Sequence, residues 1–192
     1  TLHNHNTGTM NNLTNATNAT ITTLTNDGQL TGGITNETNA QIDDIINTAT
    51  LGTITNNGTI TNNISNRTNA TITTIANAQG ATIGGVINET NATITTFDNS
   101  GLVQNNFTNQ GIITTLNNNE TGRLENLTNA SNATITTLTN KGTLTGGITN
   151  QVNGNINTID NQANLAKIDN SGTIGSLDNK NNAKIDRIDN QA

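Results

Sequence analysis

ATITTLTNDGQLTGGITN, residues 19 to 36, places apolar side chains at Ile21, Leu24, Leu30 and Ile34. Those spacings fit neither the period of a helix nor the strict alternation of a simple strand. An asparagine follows two residues after Leu24 and again after Ile34, at Asn26 and Asn36. The same rhythm extends through the whole chain, from Asn4 to Asn190, and each such Asn is preceded two positions earlier by Leu, Ile, Val or Phe. Between one Asn and the next come one or three residues, Gly or Ala, one residue, an apolar residue, two or three residues, a second apolar residue and one more. All 18 units obey this. Self-similarity on that scale governs a fold.

Unit lengths of 9, 10 and 11 arise from two kinds of insertion. In the nine-residue form INTATLGTITN (46 to 56), Asn47, Ala49 and Leu51 alternate at period two, as residues on one face of a strand do. The eleven-residue form adds two residues before the Gly or Ala, which keeps inward parity; one would reverse it. The ten-residue form adds one residue between the two apolar positions, so that gap is expected to be a corner. Ala19, Ile21, Leu24 and Asn26 then point inward, with Thr22 and Thr23 turning between two short strands.

The fold expected is all-β: a parallel β-helix, or β-solenoid, of 9- to 11-residue units, with strands of three to seven residues. Two units per coil, ~20 to 21 residues and four short faces, is favoured because a single unit leaves too few residues to close a loop. Three units, ~31 residues in a triangular prism, is the alternative. It is suggested by the return of NATITTLTNDGQLTGGITNET (18 to 38) as NATITTLTNKGTLTGGITNQV (132 to 152). One array is expected over residues 1–192, a piece of a longer array without caps.

Asparagine and threonine number 41 each among 192 residues, with no Pro, Cys, Trp or Tyr. At 30% hydrophobic residues a chain without pattern could hardly offset its ordering entropy, so order must come from placement. A net charge of -6 on 10% charged residues offers no basic patch, which sets nucleic acid aside. No run reaches the roughly 18 apolar residues of a membrane helix, so no membrane insertion of this segment is expected. The start at Thr1, without Met or signal peptide, suggests an excised or processed segment.

The candidate structural residues are the inward asparagines Asn15, Asn26, Asn36, Asn47, Asn56, Asn66, Asn77, Asn88, Asn99, Asn109, Asn118, Asn129, Asn140, Asn150, Asn161, Asn170 and Asn179. A buried amide is costly unless paired, and identical Asn side chains one coil apart can pair along a column as a ladder. Outward Thr pairs occur at Thr20/Thr22, Thr59/Thr61, Thr71/Thr73, Thr93/Thr95, Thr134/Thr136 and Thr143/Thr145. A regular Thr-x-Thr rank is a device of ice binding. Other units, however, present Gln41/Asp43, Arg123/Glu125 or Lys184/Asp186 there, which favours plain strand propensity.

Asp98, Asp160, Asp169, Asp178 and Asp189 share the outward position before the ladder Asn, a place where stacked carboxylates could hold Ca²⁺. Lys167, Lys180, Lys184 and Arg187 nearby favour a mixed-charge face instead. His3 and His5 share a face without a third ligand in view. No metal or other cofactor is expected. Catalysis is not expected either: a smooth prism offers no cleft in which to shift a pKa or exclude water. Phe97 and Phe107 fill inward slots and offer no aromatic platform.

GTITNNGTITNNI (52 to 64) and IDNSGTIGSLDNK (168 to 180) resemble the repeats of large bacterial surface proteins. Notable among those they resemble are adhesin-like autotransporter passengers, including the repetitive relatives of vacuolating-toxin autotransporters. That resemblance implies a secreted β-helical stalk at the bacterial cell surface, extracellular and non-catalytic, working in adhesion or as a fibre. Its expected partners are further copies joined end to end, more of the same array, or a host or neighbouring-cell surface. The alternative function is an ice-binding or receptor-binding β-helix using the outward Thr rows.

Overall fold

The computed structural model describes residues 1–180 and 182–191; residue 192, the last of the expected array, lies outside the described residues. Each unit forms one strand ending on its ladder Asn, and alternate units fall in alternate sheets. The first sheet holds Leu2–Asn4, Thr20–Asn26, Gln41–Asn47, Thr59–Asn66, Thr82–Asn88, Leu102–Asn109, Arg123–Asn129, the pair Thr143–Leu144 and Ile148–Asn150, Asn164–Asn170 and Lys184–Asn190. The second holds Thr9–Asn15, Gln29–Asn36, Thr50–Asn56, Thr71–Asn77, Thr93–Asn99, Ile112–Asn118, Thr134–Asn140, Asn155–Asn161 and Thr173–Asn179. No helix forms among the described residues.

Pairing is parallel and joins units two apart. Thr20–Asn26 lies on Gln41–Asn47 with Ile21 opposite Ile42, Leu24 opposite Ile45 and Asn26 opposite Asn47. The molecule is therefore a β-solenoid with two units per coil. A three-unit coil would pair strands three units apart, and none does among the described residues. Coil spacing of ~4.8 Å makes about nine coils ~43 Å tall.

Isoleucine and threonine dominate the strands because β-branched side chains suit extended backbone. The two apolar positions of each unit meet those of the facing sheet in one core, running from Leu24 to Ile168 with most members fully buried. Phe97 from one sheet meets Phe107 from the other edge to face, ring centroids 4.7 Å apart and planes at 89°. Such a contact adds ~0.5 to 1.5 kcal/mol beyond the area it buries.

The corner between the apolar positions is present, but it does not divide two strands as expected. Thr20–Asn26 is one seven-residue strand with Thr22 and Thr23 inside it. Neighbouring coils bend at the same place, so their ladder continues through the bend with only the Thr22 level unpaired. The chain leaves the sheet instead after the ladder Asn. Asn47, Ala49 and Leu51 thus do not share one strand: Thr48 and Ala49 form a turn. The extra residue of the ten-residue units makes a bulge, seen as register shifts beside Gly32–Gly33, Asn62–Asn63 and Asn105–Asn106. At Gly146–Gly147 the corresponding bulge separates Thr143–Leu144 from Ile148–Asn150.

Eleven-residue units close with a four-residue turn, for example Ala16 to Ala19, whose last N–H donates to the first carbonyl at 2.9 Å. In eight of the ten such turns the third residue takes positive φ: Asn18, Asn39, Asn69, Asn91, Asn132, Asn153 and Asn182 lie between 56° and 65°, and Gly80 at 82°; Thr7 and Thr121 hold the same place without it. Asn tolerates that left-handed conformation better than other side chains, which is why it recurs there.

Nine- and ten-residue units close with two residues, the second being Gly or Ala by a steric rule. Where the turn beneath has four residues the residue is Gly: Gly28, Gly58, Gly101, Gly111, Gly142 and Gly172. Where the turn beneath also has two residues it is Ala: Ala49 over Gly28, and Ala163 over Gly142. A Cβ on Gly58 would meet the backbone carbonyl oxygens of Ala40 and Glu37 well inside contact distance. Overpacking of that kind costs ~1 to 3 kcal/mol. Gly58→Ala should therefore lower the urea-unfolding free energy by about that amount, whereas Ala49→Gly should cost under ~1 kcal/mol. Equal effects would refute the rule.

Candidate functional site

The side chains most exactingly placed are the asparagines, which form two columns inside the solenoid, one at each edge of the core. In one column Asn4, Asn26, Asn47, Asn66 and onward to Asn190 are joined by Nδ2 donating to the Oδ1 of the next coil at 2.7 to 2.9 Å. The other runs the same way from Asn15 to Asn179. Every amide points its donor toward the C-terminal coils, so each ladder has one polarity.

The second Nδ2 hydrogen also finds a partner. Asn77 donates to Asn99 Oδ1 at 2.9 Å and to the Leu102 carbonyl at 3.2 Å, while its own Oδ1 accepts from Asn56 at 2.9 Å. The named asparagines from Asn15 to Asn170 are buried. Asn179 differs: it is exposed, yet it accepts from Asn161 at 2.7 Å and donates to the Ala183 carbonyl at 2.9 Å. Fewer coils cover it, so its inward direction does not bring burial.

Outside, the aspartates expected in one row divide between the sheets. Asp98, Asp160 and Asp178 lie on the second sheet; Asp169 and Asp189 lie on the first. Lys180 bridges Asp160 and Asp178 at 3.0 and 3.3 Å. Lys167 and Arg187 both reach Asp169, at 2.5 and 2.8 Å. These carboxylates thus face cations both from their own coil and from the next. Asp98 stands apart and accepts from Asn117 at 2.7 Å.

His3 pairs through Nε2 with Asp27 one coil on, at 2.5 Å, and its ring centroid lies 3.9 Å from that of His5. Asp27 was not legible as a neighbour of His3 before the coil length was known. Among the described residues no three His, Cys, Asp or Glu side chains gather as a metal site would require.

The turns carry a second inter-coil lock. Thr17 donates through both N and Oγ1 to Glu37 Oε2, each at 3.0 Å. Thr68 does the same to Glu89 at 3.0 and 3.2 Å, and Arg67 adds 2.6 Å to the same carboxylate. A Glu opening one turn thereby ties down the turn beneath it.

Surface concavities are open grooves between coils. One is bounded by Thr143, Leu144, Asn164, Leu165 and the Lys184–Asp186 ion pair at 2.6 Å. Comparison with family models, curated proteins and solved structures finds no match to this chain.

Asn77→Asp should cost ~1 to 3 kcal/mol at neutral pH, because a buried carboxylate cannot donate to Asn99 or Leu102. The deficit should shrink in acid as the carboxyl regains a proton to donate; an unchanged melting curve at pH 7 would contradict the ladder. A separate pH dependence follows from the surface pairs. The Thr48 hydroxyl and His3 hold Asp27 below its ordinary 3.8; the Lys180 and Lys167 ammoniums do the same for Asp160 and Asp169. At Glu89 partial burial acts in the opposite direction, but Arg67 and Thr68 outweigh it and the value falls below 4.5. Lowered carboxyl pKa values stabilise the fold above the unfolded values, and that stability fades as pH falls through the folded ones. The melting temperature should stay level from about pH 8 to 5 and decline modestly below about pH 4, since exposed pairs are weak. A decline already under way well above pH 5 would contradict this assignment to the carboxylates.

Proposed function

We propose that this array is a structural stalk or filament segment of a bacterial extracellular surface protein, adhesin-like in its placement and non-catalytic. The observation that carries the reading is the uniformity of the joint between coils. Each coil is attached to the next by the same parallel strands and the same two amide bonds, all of one polarity. Such a geometry lengthens by addition of identical steps, as a spacer requires, and gives near-nearest-neighbour stability along its axis. The exterior supports it too, because its charged groups are mostly matched in pairs.

The partners under this reading are further coils of the same kind, joined end to end, and a host or neighbouring-cell surface reached by the fibre. Ladder polarity makes that joint head to tail: an edge offering Oδ1 acceptors receives one offering Nδ2 donors. A head-to-tail contact does not close and so generates filaments.

Electron microscopy and small-angle scattering of the purified chain over a range of concentrations test this. Rods whose length grows with concentration in steps of ~43 Å are expected. A monomer whose length is unaffected by dilution would count against end-to-end assembly.

A further inference from the structure

We infer that the second sheet carries an ice-binding face, a rank of threonines stacked on consecutive coils from Thr71 to Thr137. Six Thr-x-Thr pairs scattered through the sequence do not look like a rank. Two units per coil sort them. TITT at 71 to 74, TITT at 93 to 96, IITT at 112 to 115 and TITT at 134 to 137 stack on four successive coils of one sheet, in register. The other three pairs lie on the first sheet, separated by coils that present other residues.

Charge segregates in the same way. At the outward positions around the strand bend, the first sheet carries Asp43, Asp44, Arg123, Glu125, Lys167 and Lys184, among others. No strand of the second sheet has a charged residue at those positions among the described residues.

Regularity provides a third, independent sign. Three of the four ten-residue units, with their bulges, lie in the first sheet. From Thr50–Asn56 to Thr173–Asn179 the second sheet pairs without a register shift. Bulges, charges and interruptions collect on one side, leaving the other even.

Hydroxyls and methyls on this face repeat at ~4.8 Å between coils and ~6.6 Å along each strand. The interval between coils is close to the shorter oxygen repeat on a prism plane of ice, and the interval along the strand falls somewhat short of the longer one. The rank has one departure, Ile112, which is 46% exposed. It keeps the branched methyl of its Thr neighbours but puts an ethyl group where they carry a hydroxyl. An uncharged array of that kind complements an uncharged lattice of ordered water and would order a matching water layer. A crystalline polysaccharide is the poorer occupant, since the chain has no Trp or Tyr and both Phe rings are buried in the core.

Thermal hysteresis and ice-recrystallisation assays on the purified chain test the inference, with folding of each variant checked by circular dichroism. The intact chain should shape ice crystals and suppress recrystallisation. Thr95→Lys, in the middle of the rank, should lose that activity, whereas Thr61→Lys on the first sheet should retain it. Ile112→Thr, which completes the rank, should raise it. Absence of any effect by the intact chain, or equal loss in both Lys variants, would overturn the inference. So would an oligomer that Thr95→Lys dissociates, since the face would then belong to a second copy. None of these outcomes alters the rod lengths that test the stalk reading.

Discussion

The hydrogen bond from one asparagine amide to the next, repeated along two columns, is the interaction on which this structure depends. With 30% hydrophobic residues the core is narrow, and each unit contributes two apolar side chains to it. At its edges the chain buries a primary amide, a group with two donors and an acceptor that must all be satisfied. Repetition solves this: one N–H reaches the Oδ1 above, the other reaches a backbone carbonyl, and the oxygen accepts from below. Each bond contributes ~0.5 to 1.5 kcal/mol net, but breaking one leaves buried partners unsatisfied at ~1 to 3 kcal/mol. The ladder therefore acts mainly on specificity. A strand slipped by one residue would bring an outward side chain into the amide column.

Turn length varies along the chain while the alignment of the inward columns does not. Four-residue and two-residue turns follow one another irregularly, and each delivers the next Gly or Ala to the same inward level. The choice between Gly and Ala answers the carbonyls of the turn beneath, and Asn in the left-handed conformation closes most of the longer turns. Tolerance at the turns and strictness at the columns are one arrangement, because loop residues face solvent and column residues face their own copies.

Much of this was legible in the order of residues. The two apolar positions and the asparagine two residues after the second defined the inward columns, since parity within a strand leaves little choice. Two units per coil followed from the length needed to close a loop. The corner at Thr22 and Thr23 was legible as a reversal of parity, but not that hydrogen bonding continues through it, which depends on the neighbouring coil bending alike. Nor could the outward rows be assembled. Asp98 and Asp169 look equivalent in sequence yet lie on different sheets, and the Thr pairs separate into a rank and three isolated members only when odd and even units are assigned to opposite faces. Outward neighbours are set by coil length, a property of closure and not of any single unit.

The functional reading follows from the same interaction: a molecule whose interior repeats without change is suited to span distance, and its exterior is free to differ from side to side. The most direct measurement is hydrogen exchange of the asparagine side-chain amides, resolved by NMR on the folded chain. The ladder Nδ2 protons of Asn47 to Asn161 should exchange as slowly as the core backbone amides, and far more slowly than those of exposed asparagines such as Asn62 or Asn105. Side-chain exchange at the same rate in both groups would show that the columns are wet and that the solenoid is held by something else.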